Sequence, residues 1–578
     1  MLTRLRGALA MPHSRVGRRT FLRAVPAGLA AGGAPRLAAG QPATDLLTDT
    51  LAGAGSLADL DFTTAEHELM RAAVARNRRR YRQLRAVAIG PEVEPAFHFD
   101  PSHVAGRPPG RATPSAAQPF SRATDGEVPS AVEGLAFAPL TVLATLLERR
   151  RVTATALAEM YLARLARYAD RLQCVVTLTP DLARAQATEA DREMAAGRYR
   201  GPLHGVPWGA KDLLATAGIR TTWGARPFAD QVFDHDATVV ERLREAGAVL
   251  IAKLSTGALA RGGVWFGGST RNPWDLTRSS SGSSAGPGAA TAAGLVGFSI
   301  GSETLGSIIS PSAACGVTGL RPTYGRVSRH GAMALSWTMD KIGPMCRTAE
   351  DCALVFNAIY GPDERDATVI DAPFRWDPGL DLGRVRIGHV AGELAAPPRD
   401  ATGEHRAALA AALDILRDAG ATLVPVELPD FPADALRIIL EAESAAAFDD
   451  LTRSGGVDDL TRQTADAWPN SFRASRYIPA VEYLRAQRAR TLLIERLEDL
   501  LARVDVFVSP TRSAGLAMTN LTGHPAVAVK AGFAGGLPVA LMITGRLYDE
   551  ATVLGVAHAY ERLAPWRAMH PDLEDGPA

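Results

Sequence analysis

The stretch that decides the fold is "RSSSGSSAGPGAATAAGLVGFSIGSETLGSIISP", residues 278–311. It contains nine serines and seven glycines, yet a flexible Ser/Gly linker would be polar throughout. Here Ala289, Val296, Phe298 and Ile300 supply apolar side chains between two polar ends. The pattern predicts a loop, a helix of small residues, a buried strand and a second loop.

Helices and short buried strands alternate around this stretch. Thr153 is placed to cap a helix, and "ATVVERLREAGAVLIAKL" predicts a helix that stops at Gly247 before a strand at Val249–Ala252. "LHGVPWGAKDLL" approaches Lys211 as a strand. This alternation predicts an α/β fold: a single large domain, residues 131–570, with a mixed β-sheet core covered by helices on both faces.

Composition narrows the function classes. The chain has 578 residues, 47% of them hydrophobic, and its 63 basic and 62 acidic residues nearly cancel. The basic run Arg76–Arg85 is typical of a solvated helix face, so we expect no nucleic-acid partner. Four irregularly spaced cysteines predict neither a disulfide framework nor a metal site. No stretch of 18 apolar residues occurs, so we expect no membrane anchor.

The N-terminal residues differ from the rest of the chain. "GRRTFLRAVPAGLAAGGAPRLAAG" pairs Arg18 and Arg19 with a short, mildly apolar run that ends on small residues. Residues 1–40 resemble a twin-arginine signal, which predicts an exported, periplasmic or secreted protein. The alternative is an irregular basic N-terminus. Residues 41–130 are expected to form a helical segment followed by a Pro/Gly-rich arm.

The serines of the opening stretch raise the question of a base. Serine needs one within hydrogen-bond reach to act as a nucleophile, and residues 278–311 hold no histidine or lysine. His204, His235 and His330 remain candidates as neighbours in space. Lys211, one of only four lysines, lies among apolar and small residues, where burial could lower its pKa. An ion pair with Asp212 or another carboxylate is the equal alternative.

Three ordered motifs resemble the amidase signature family. They are "GVPWGAKDL", "SSGSSAGPGAATAAGL" and "GSETLGSIISPSAACGVTGLRPTYGRVS", and Ser307 lies 24 positions after Ser283. "NLTGHPAVAV" and "GLPVALMITG" are similar to the closing segments of that family. The resemblance extends over about residues 131–565.

The resemblance implies a Ser-cisSer-Lys amidase. Ser307 would be the nucleophile, Ser283 a proton relay held by a cis peptide bond, and Lys211 the base. The backbone N–H groups of Thr304, Leu305, Gly306 and Ser307 would form the oxyanion hole.

The implied reaction is hydrolysis of a linear carboxamide through an acyl-enzyme, with no cofactor and no metal. The partner would be a small-molecule amide. The sequence leaves the oligomeric state open, with a homodimer among the options.

The nucleophile loop departs from the family pattern. Leu305 should narrow or reshape the substrate pocket, and Ile309 replaces an arginine, so Glu303 would need a different partner. Lys253 and Lys341 are expected in interior ion pairs or helix-end contacts. The segment "RASRYIPAVEYLRAQRAR" is a candidate lining of the pocket. Two alternatives stay open: the glutaminase subunit of a tRNA-dependent amidotransferase, and a catalytically silent binding protein.

Overall fold

The computed structural model describes residues 48–58, 60–89, 93, 95–97, 120, 121, 129, 131–395 and 402–573. The predicted export signal, residues 1–40, lies outside the described residues, as does most of the Pro/Gly-rich arm. Among the described residues, no helix is both long and apolar enough to cross a membrane.

The core is a sheet of eleven strands. In chain order they are β1 (Val175–Leu178), β2 (Pro207–Lys211), β3 (Val249–Leu254), β8 (Phe298–Glu303), β9 (Thr318–Arg321), β10 (Lys341–Cys346), β11 (Arg386–Val390), β12 (Thr422–Val426), β13 (Val506–Pro510), β14 (Ala526–Ala534) and β15 (Leu537–Gly545). Across the sheet the order is β1-β3-β2-β8-β10-β9-β14-β15-β13-β11-β12. Two small ribbons pair β4 (Val264–Trp265) with β5 (Gly268–Ser269) and β6 (Arg271–Asn272) with β7 (Asp275–Ser279).

The sheet is mixed, as the sequence predicts. Strand β2 runs parallel to both β3 and β8, whereas β8 is antiparallel to β10. Every residue of β2, β3, β9, β10 and β13 is buried. Because successive side chains of a strand point to opposite faces, both faces of the sheet are covered. The α/β fold class is confirmed.

Seventeen α-helices are found among the described residues. They are α1 (Thr48–Leu57), α2 (Thr64–Ala86), α3 (Leu140–Glu148), α4 (Ala154–Leu172), α5 (Pro180–Ala195), α6 (Thr238–Glu245), α7 (Ala285–Ala292), α8 (Ile309–Cys315), α9 (Ala349–Ile359), α10 (Ala391–Ala395), α11 (Gly403–Asp418), α12 (Ile438–Ala447), α13 (Asp449–Arg453), α14 (Trp468–Ser475), α15 (Ala480–Leu501), α16 (Ala514–Leu521) and α17 (Glu550–Leu563). Short 3-10 turns occupy Val132–Leu135, Arg226–Phe228, Ala258–Ala260, Leu382–Arg384, Ala433–Arg437 and Gly456–Asp459.

Local signals place several of these elements correctly. The hydroxyl of Thr153 accepts the N–H of Ala156 at 3.0 Å and caps α4, which satisfies one of the free donors of the first turn. Helix α6 ends at Glu245, just before Gly247, and β3 follows from Val249. The opening stretch forms the predicted loop, helix α7, strand β8 and second loop.

Helix α2 contains the basic run Arg76–Arg85. Arg78, Arg79 and Arg82 are exposed, as expected of a solvated face. Arg80 is the exception: it is buried, and its Nη1 donates to Glu441 Oε1 of α12 at 2.6 Å. Helix α2 packs against α14 and α15. The proposed domain start at residue 131 stays a prediction.

Candidate active site

Lys211 ends strand β2 and is completely buried. Its Nζ donates to Ser283 Oγ at 2.8 Å, to Ser302 Oγ at 2.9 Å and to Ser284 Oγ at 3.0 Å. Burial lowers the pKa of Lys211 to about 7, although the fields of Asp340 and Glu303 act in the opposite direction. A lysine with this pKa is partly neutral near pH 7 and can accept a proton.

Asp212, the next residue, does not pair with Lys211. Its Oδ1 lies 3.6 Å from Lys253 Nζ, and its Oδ2 accepts the N–H of Thr222 at 2.9 Å. The predicted ion pair of Lys253 is therefore confirmed, and the alternative of a Lys211–Asp212 pair is wrong. Because Asp212 is held by Lys253, Lys211 keeps three hydroxyl groups as its nearest partners.

Lys341 differs from both lysines. Its Nζ donates to the carbonyl groups of Met339 and Thr304. Neither contact is an ion pair or a helix end, so the prediction for Lys341 is wrong. The carbonyl oxygens lie within reach because Lys341 begins β10, directly opposite Glu303 of β8.

Ser283 follows a cis peptide bond from Gly282, as the resemblance implies. The chain is tightly packed here, because a Cβ added to Gly282 would lie 2.0 Å from the carbonyl oxygen of Gly262. Ser283 is 1% exposed, and its hydroxyl is fixed by Lys211. Only glycine at position 282 allows this approach.

Ser307 lies in the loop between β8 and α8 and is partly exposed. Its carbonyl accepts the N–H of Ser284 at 3.1 Å, which ties the two serine loops together. Among the described residues, Ser283 Oγ and Ser307 Oγ do not form a hydrogen bond. The structure thus brings Lys211 and Ser283 into direct contact and connects Ser307 to them through the backbone.

The predicted oxyanion donors lie in the same loop. Within the described part of the chain, no hydrogen bond uses the N–H of Leu305, Gly306 or Ser307. Gly306 has φ +96°, a left-handed conformation that favours glycine. The hydroxyl of Thr304 donates to Asp340 Oδ1 at 2.5 Å. The side-chain contact of Thr304 fixes the loop, so its backbone N–H groups remain available to a substrate.

Because position 309 is isoleucine, Glu303 makes its contacts with other groups. Its Oε2 accepts the N–H groups of Ile308 and Ile309 at 2.6 and 2.8 Å. Its Oε1 lies 3.1 Å from Arg321 Nη1 and accepts Asn520 Nδ2 at 2.7 Å. Burial opposes ionisation, yet the Arg321 guanidinium and the two N–H groups hold the pKa of Glu303 below its usual value. Arg321 on β9 thus supplies the guanidinium that position 309 lacks.

Replacing Glu303 with glutamine should destabilise the domain. The Glu303→Gln variant leaves Arg321 buried without a counter-charge, which typically lowers the free energy of unfolding by about 3–5 kcal/mol. Urea titration followed by circular dichroism measures this difference. The control is Glu159→Gln, which breaks an exposed pair with Arg184 and should leave stability almost unchanged. Equal stability of both variants would contradict the structural role of the buried pair.

The three histidines considered as bases do not contact the serines. His204 Nε2 lies 3.2 Å from Glu193 Oε2, and His235 Nδ1 lies 3.0 Å from Asp234 Oδ1. His330 stands in a cavity wall. In the described residues, none of them forms a hydrogen bond with Ser283 or Ser307.

A cavity of about 1010 Å³ adjoins the cluster, with Ser302 and Thr304 in its wall. Arg490 also lines it, so the segment 473–490 contributes to the pocket as expected. Leu305 does not line this cavity and packs against the hydrophobic core instead. The prediction that Leu305 narrows or reshapes the substrate pocket stays a prediction, because its side chain is only half-buried in the loop that carries Ser307.

Two functional side chains escaped the sequence analysis. Ser302 and Ser284 both accept a hydrogen bond from Lys211. Ser302 lies one residue before Glu303 on β8, the parallel neighbour of β2. Ser302 could have been recognised from the pairing of β8 with β2, but that pairing is known only once the order of strands in the sheet is known.

Comparisons with known proteins agree with this geometry. The Amidase family model matches residues 156–517. A glutamyl-tRNA(Gln) amidotransferase subunit from Roseiflexus sp. (strain RS-1) is 36% identical over 477 residues, which cover 74% of this chain and 96% of the relative. The chain therefore belongs to the amidase signature family.

Solved structures share the fold. The native peptide amidase from Stenotrophomonas maltophilia is 31% identical, with a TM-score of 0.67 over 77% of this chain and 100% of that one. An amidase family protein from Bacillus anthracis str. Ames is 26% identical, with a TM-score of 0.69 over 76% of this chain and 93% of that one. Among the described residues, no group of three or more His, Cys, Asp or Glu side chains is placed to hold a metal ion.

Proposed function

We propose that this protein hydrolyses linear carboxamides through an acyl-enzyme on Ser307. The observation that carries the proposal is the 2.8 Å hydrogen bond between Lys211 Nζ and Ser283 Oγ in a fully buried setting. A lysine that is close to neutral can draw a proton through a serine hydroxyl, and the same relay can return it.

In the acylation step, Ser307 Oγ attacks the amide carbonyl carbon. The proton of Ser307 passes to Ser283 as that of Ser283 passes to neutral Lys211. The N–H groups of Leu305, Gly306 and Ser307 stabilise the oxyanion, and each such donor is typically worth about 10²–10³ in rate. The C–N bond then breaks, and the proton returns from Lys211 through Ser283 to the leaving nitrogen.

In the deacylation step, water attacks the acyl ester on Ser307. Its proton enters the relay at Ser283 and reaches Lys211, and the oxyanion is held by the same N–H groups. Collapse of the intermediate breaks the ester bond, and Ser307 recovers its proton. The net reaction converts one amide and one water into a carboxylic acid and ammonia or an amine.

We take the cavity beside Ser302 as the substrate pocket, since the Ser302 hydroxyl contacts Lys211, and part of its wall favours a bulky, apolar amide. Trp337 and Ile370 line it with exposed fractions of 48% and 49%, and apolar walls suit apolar groups. Every lining arginine in the described residues already has partners. These are Asp366 for Arg329, Glu241 and Asp363 for Arg365, and Thr338 and Leu521 for Arg490.

A glutaminase activity is the second candidate, favoured by the 36% identity to a glutamyl-tRNA(Gln) amidotransferase component. Glutamine carries a free carboxylate that needs a cation. Arg329 and Arg365 already pair with carboxylates, whereas Lys341 and Arg490 of the same cavity contact only carbonyl and hydroxyl groups. Our preference for a neutral amide rests on the apolar part of the lining, Trp337 and Ile370. Export through residues 1–40 remains part of the proposal.

A substrate panel tests the proposal. The purified protein is assayed for ammonia release from an N-acylated, C-terminally amidated aromatic dipeptide, from hexanamide and from free glutamine. We expect kcat/KM for the dipeptide amide to exceed that for glutamine by at least about 100-fold, a difference of about 2.7 kcal/mol. Preference for glutamine would support the glutaminase, and no turnover together with no labelling by a fluorophosphonate would support a silent binding protein.

A further inference from the structure

A second cavity, here called the Trp274 cavity, shares no lining residue with the one described above. Its volume is about 370 Å³, which is in the range of sites for small organic ligands. Phe137, Trp274, Val317, Arg347, Lys530 and Arg567 define it. These residues come from distant parts of the chain and meet only in the folded domain.

The Trp274 cavity has a positively charged lining. Arg347, Lys530 and Arg567 line it, and none of its described lining residues is acidic. None of the three cations forms an ion pair within 4.0 Å in the described part of the chain. Clustered charge of one sign in a concave site attracts ions of the opposite sign.

The three cations are held in different ways. Arg347 donates to the carbonyl oxygens of Thr291 and Val296 at 3.1 and 3.0 Å. Its guanidinium is therefore already hydrogen-bonded, and it acts on a ligand only through its positive charge. Lys530 Nζ donates to the carbonyl of Met569 at 2.6 Å. The guanidinium of Arg567 donates no hydrogen bond to any described residue, and the side chain is exposed. Lys530 also donates to the carbonyl of Trp566 at 3.4 Å. The Arg567 guanidinium and the third N–H of Lys530 are therefore available to a ligand.

The remaining walls are aromatic and apolar. Lys530 Nζ lies 5.7 Å from the centroid of the Trp274 ring, and Phe137 stacks on His570 with centroids 3.7 Å apart. Burial lowers the pKa of Lys530 to about 8, against the field of Glu561. A ligand carboxylate in direct contact would add to the field of Glu561 and favour the charged form of this ammonium.

We propose that the Trp274 cavity binds a small organic carboxylate with a flat apolar body. Lys530 and Arg567 hold the carboxylate, and the body lies against Phe137 and Trp274. This inference does not depend on the proposed amidase activity, because the two cavities share no residues. The site adjoins Cys315 and Gly316, which end the helix that begins two residues after Ser307.

Calorimetric titration of the full chain with sodium benzoate tests this site, with benzamide as the neutral isostere. We expect benzoate to bind with a Kd of about 1 mM or tighter, which corresponds to about 4 kcal/mol, and benzamide at least tenfold more weakly. Arg567→Gln and Lys530→Gln should each weaken benzoate binding at least tenfold. The matched control is Arg562→Gln, an exposed arginine of α17 outside the cavity, which should change nothing.

Several outcomes would overturn the proposal. They are no benzoate binding at concentrations up to about 10 mM, equal binding of benzamide, or benzoate binding that neither Arg567→Gln nor Lys530→Gln weakens. If inorganic phosphate binds as tightly as benzoate, the flat apolar body contributes nothing to binding, and that part of the proposal is wrong. Arg567 is exposed, so its variant remains informative even if Lys530→Gln fails to fold.

Discussion

Ser307→Ala is expected to lower kcat/KM for an amide substrate by about 10⁵-fold or more, the size of effect seen when a catalytic serine is removed. The alanine variant keeps the backbone of the loop, including the N–H groups and the bond from Ser284 N–H to the Ser307 carbonyl. It removes only the oxygen that would form the acyl ester. Steady-state kinetics and labelling by a fluorophosphonate measure the loss, and both signals should vanish together.

Ser310→Ala is the matched control for this experiment. Ser310 lies in the first turn of α8, and its backbone N–H donates to Gly306 at 2.8 Å, a contact that alanine retains. We expect labelling and kcat/KM within a few-fold of the unaltered protein, as is usual for a substitution outside the chemistry. Labelling that persists in Ser307→Ala would assign the nucleophile to another residue.

Lys211→Met is expected to lower kcat/KM by about 10²–10⁴-fold, the typical contribution of a general acid–base. Methionine keeps most of the buried side-chain volume and removes the amine, so the fold should survive. Ser283, Ser284 and Ser302 lose their shared donor. Circular dichroism verifies the fold, and kinetics on the same preparation gives the loss.

The pH profile provides the internal control. Lys211 acts in its neutral form, and burial lowers its pKa to about 7. The neutral fraction grows as the pH rises, so kcat/KM should increase through about pH 7 and level off above it. The residual activity of Lys211→Met should lack this acid limb. A limb that is unchanged in Lys211→Met would show that a different group titrates.

The opening stretch shows how much local sequence can predict. Its apolar residues predict α7 and β8, and the motif resemblance predicts both the cis bond before Ser283 and the neighbourhood of Lys211. These features depend on residues close together in the chain or on spacing that the family shares. They could therefore be predicted before the sheet order was known.

The partners of the charged residues could not be predicted in the same way. Arg321 on β9 forms an ion pair with Glu303, and Lys253 on β3 forms one with Asp212. Each pairing depends on which strands become neighbours, and no local periodicity encodes that choice. Arg80 illustrates the same limit, since its burial depends on the distant helix α12. Within the run Arg76–Arg85, several arginine side chains are therefore exposed to solvent, whereas Arg80 is buried.

The contact of Glu303 with Asn520 also has a consequence for how the enzyme is made. Asn520 lies in α16, and β14 and β15 insert between β9 and β13 in the middle of the sheet. Domains generally fold as units during synthesis, and here the central strands are among the last to leave the ribosome. The central part of the sheet that supports the Ser307 loop is complete only after Gly545, the last residue of β15, has emerged. Nascent chains that end earlier should therefore be inactive, however long they wait on the ribosome.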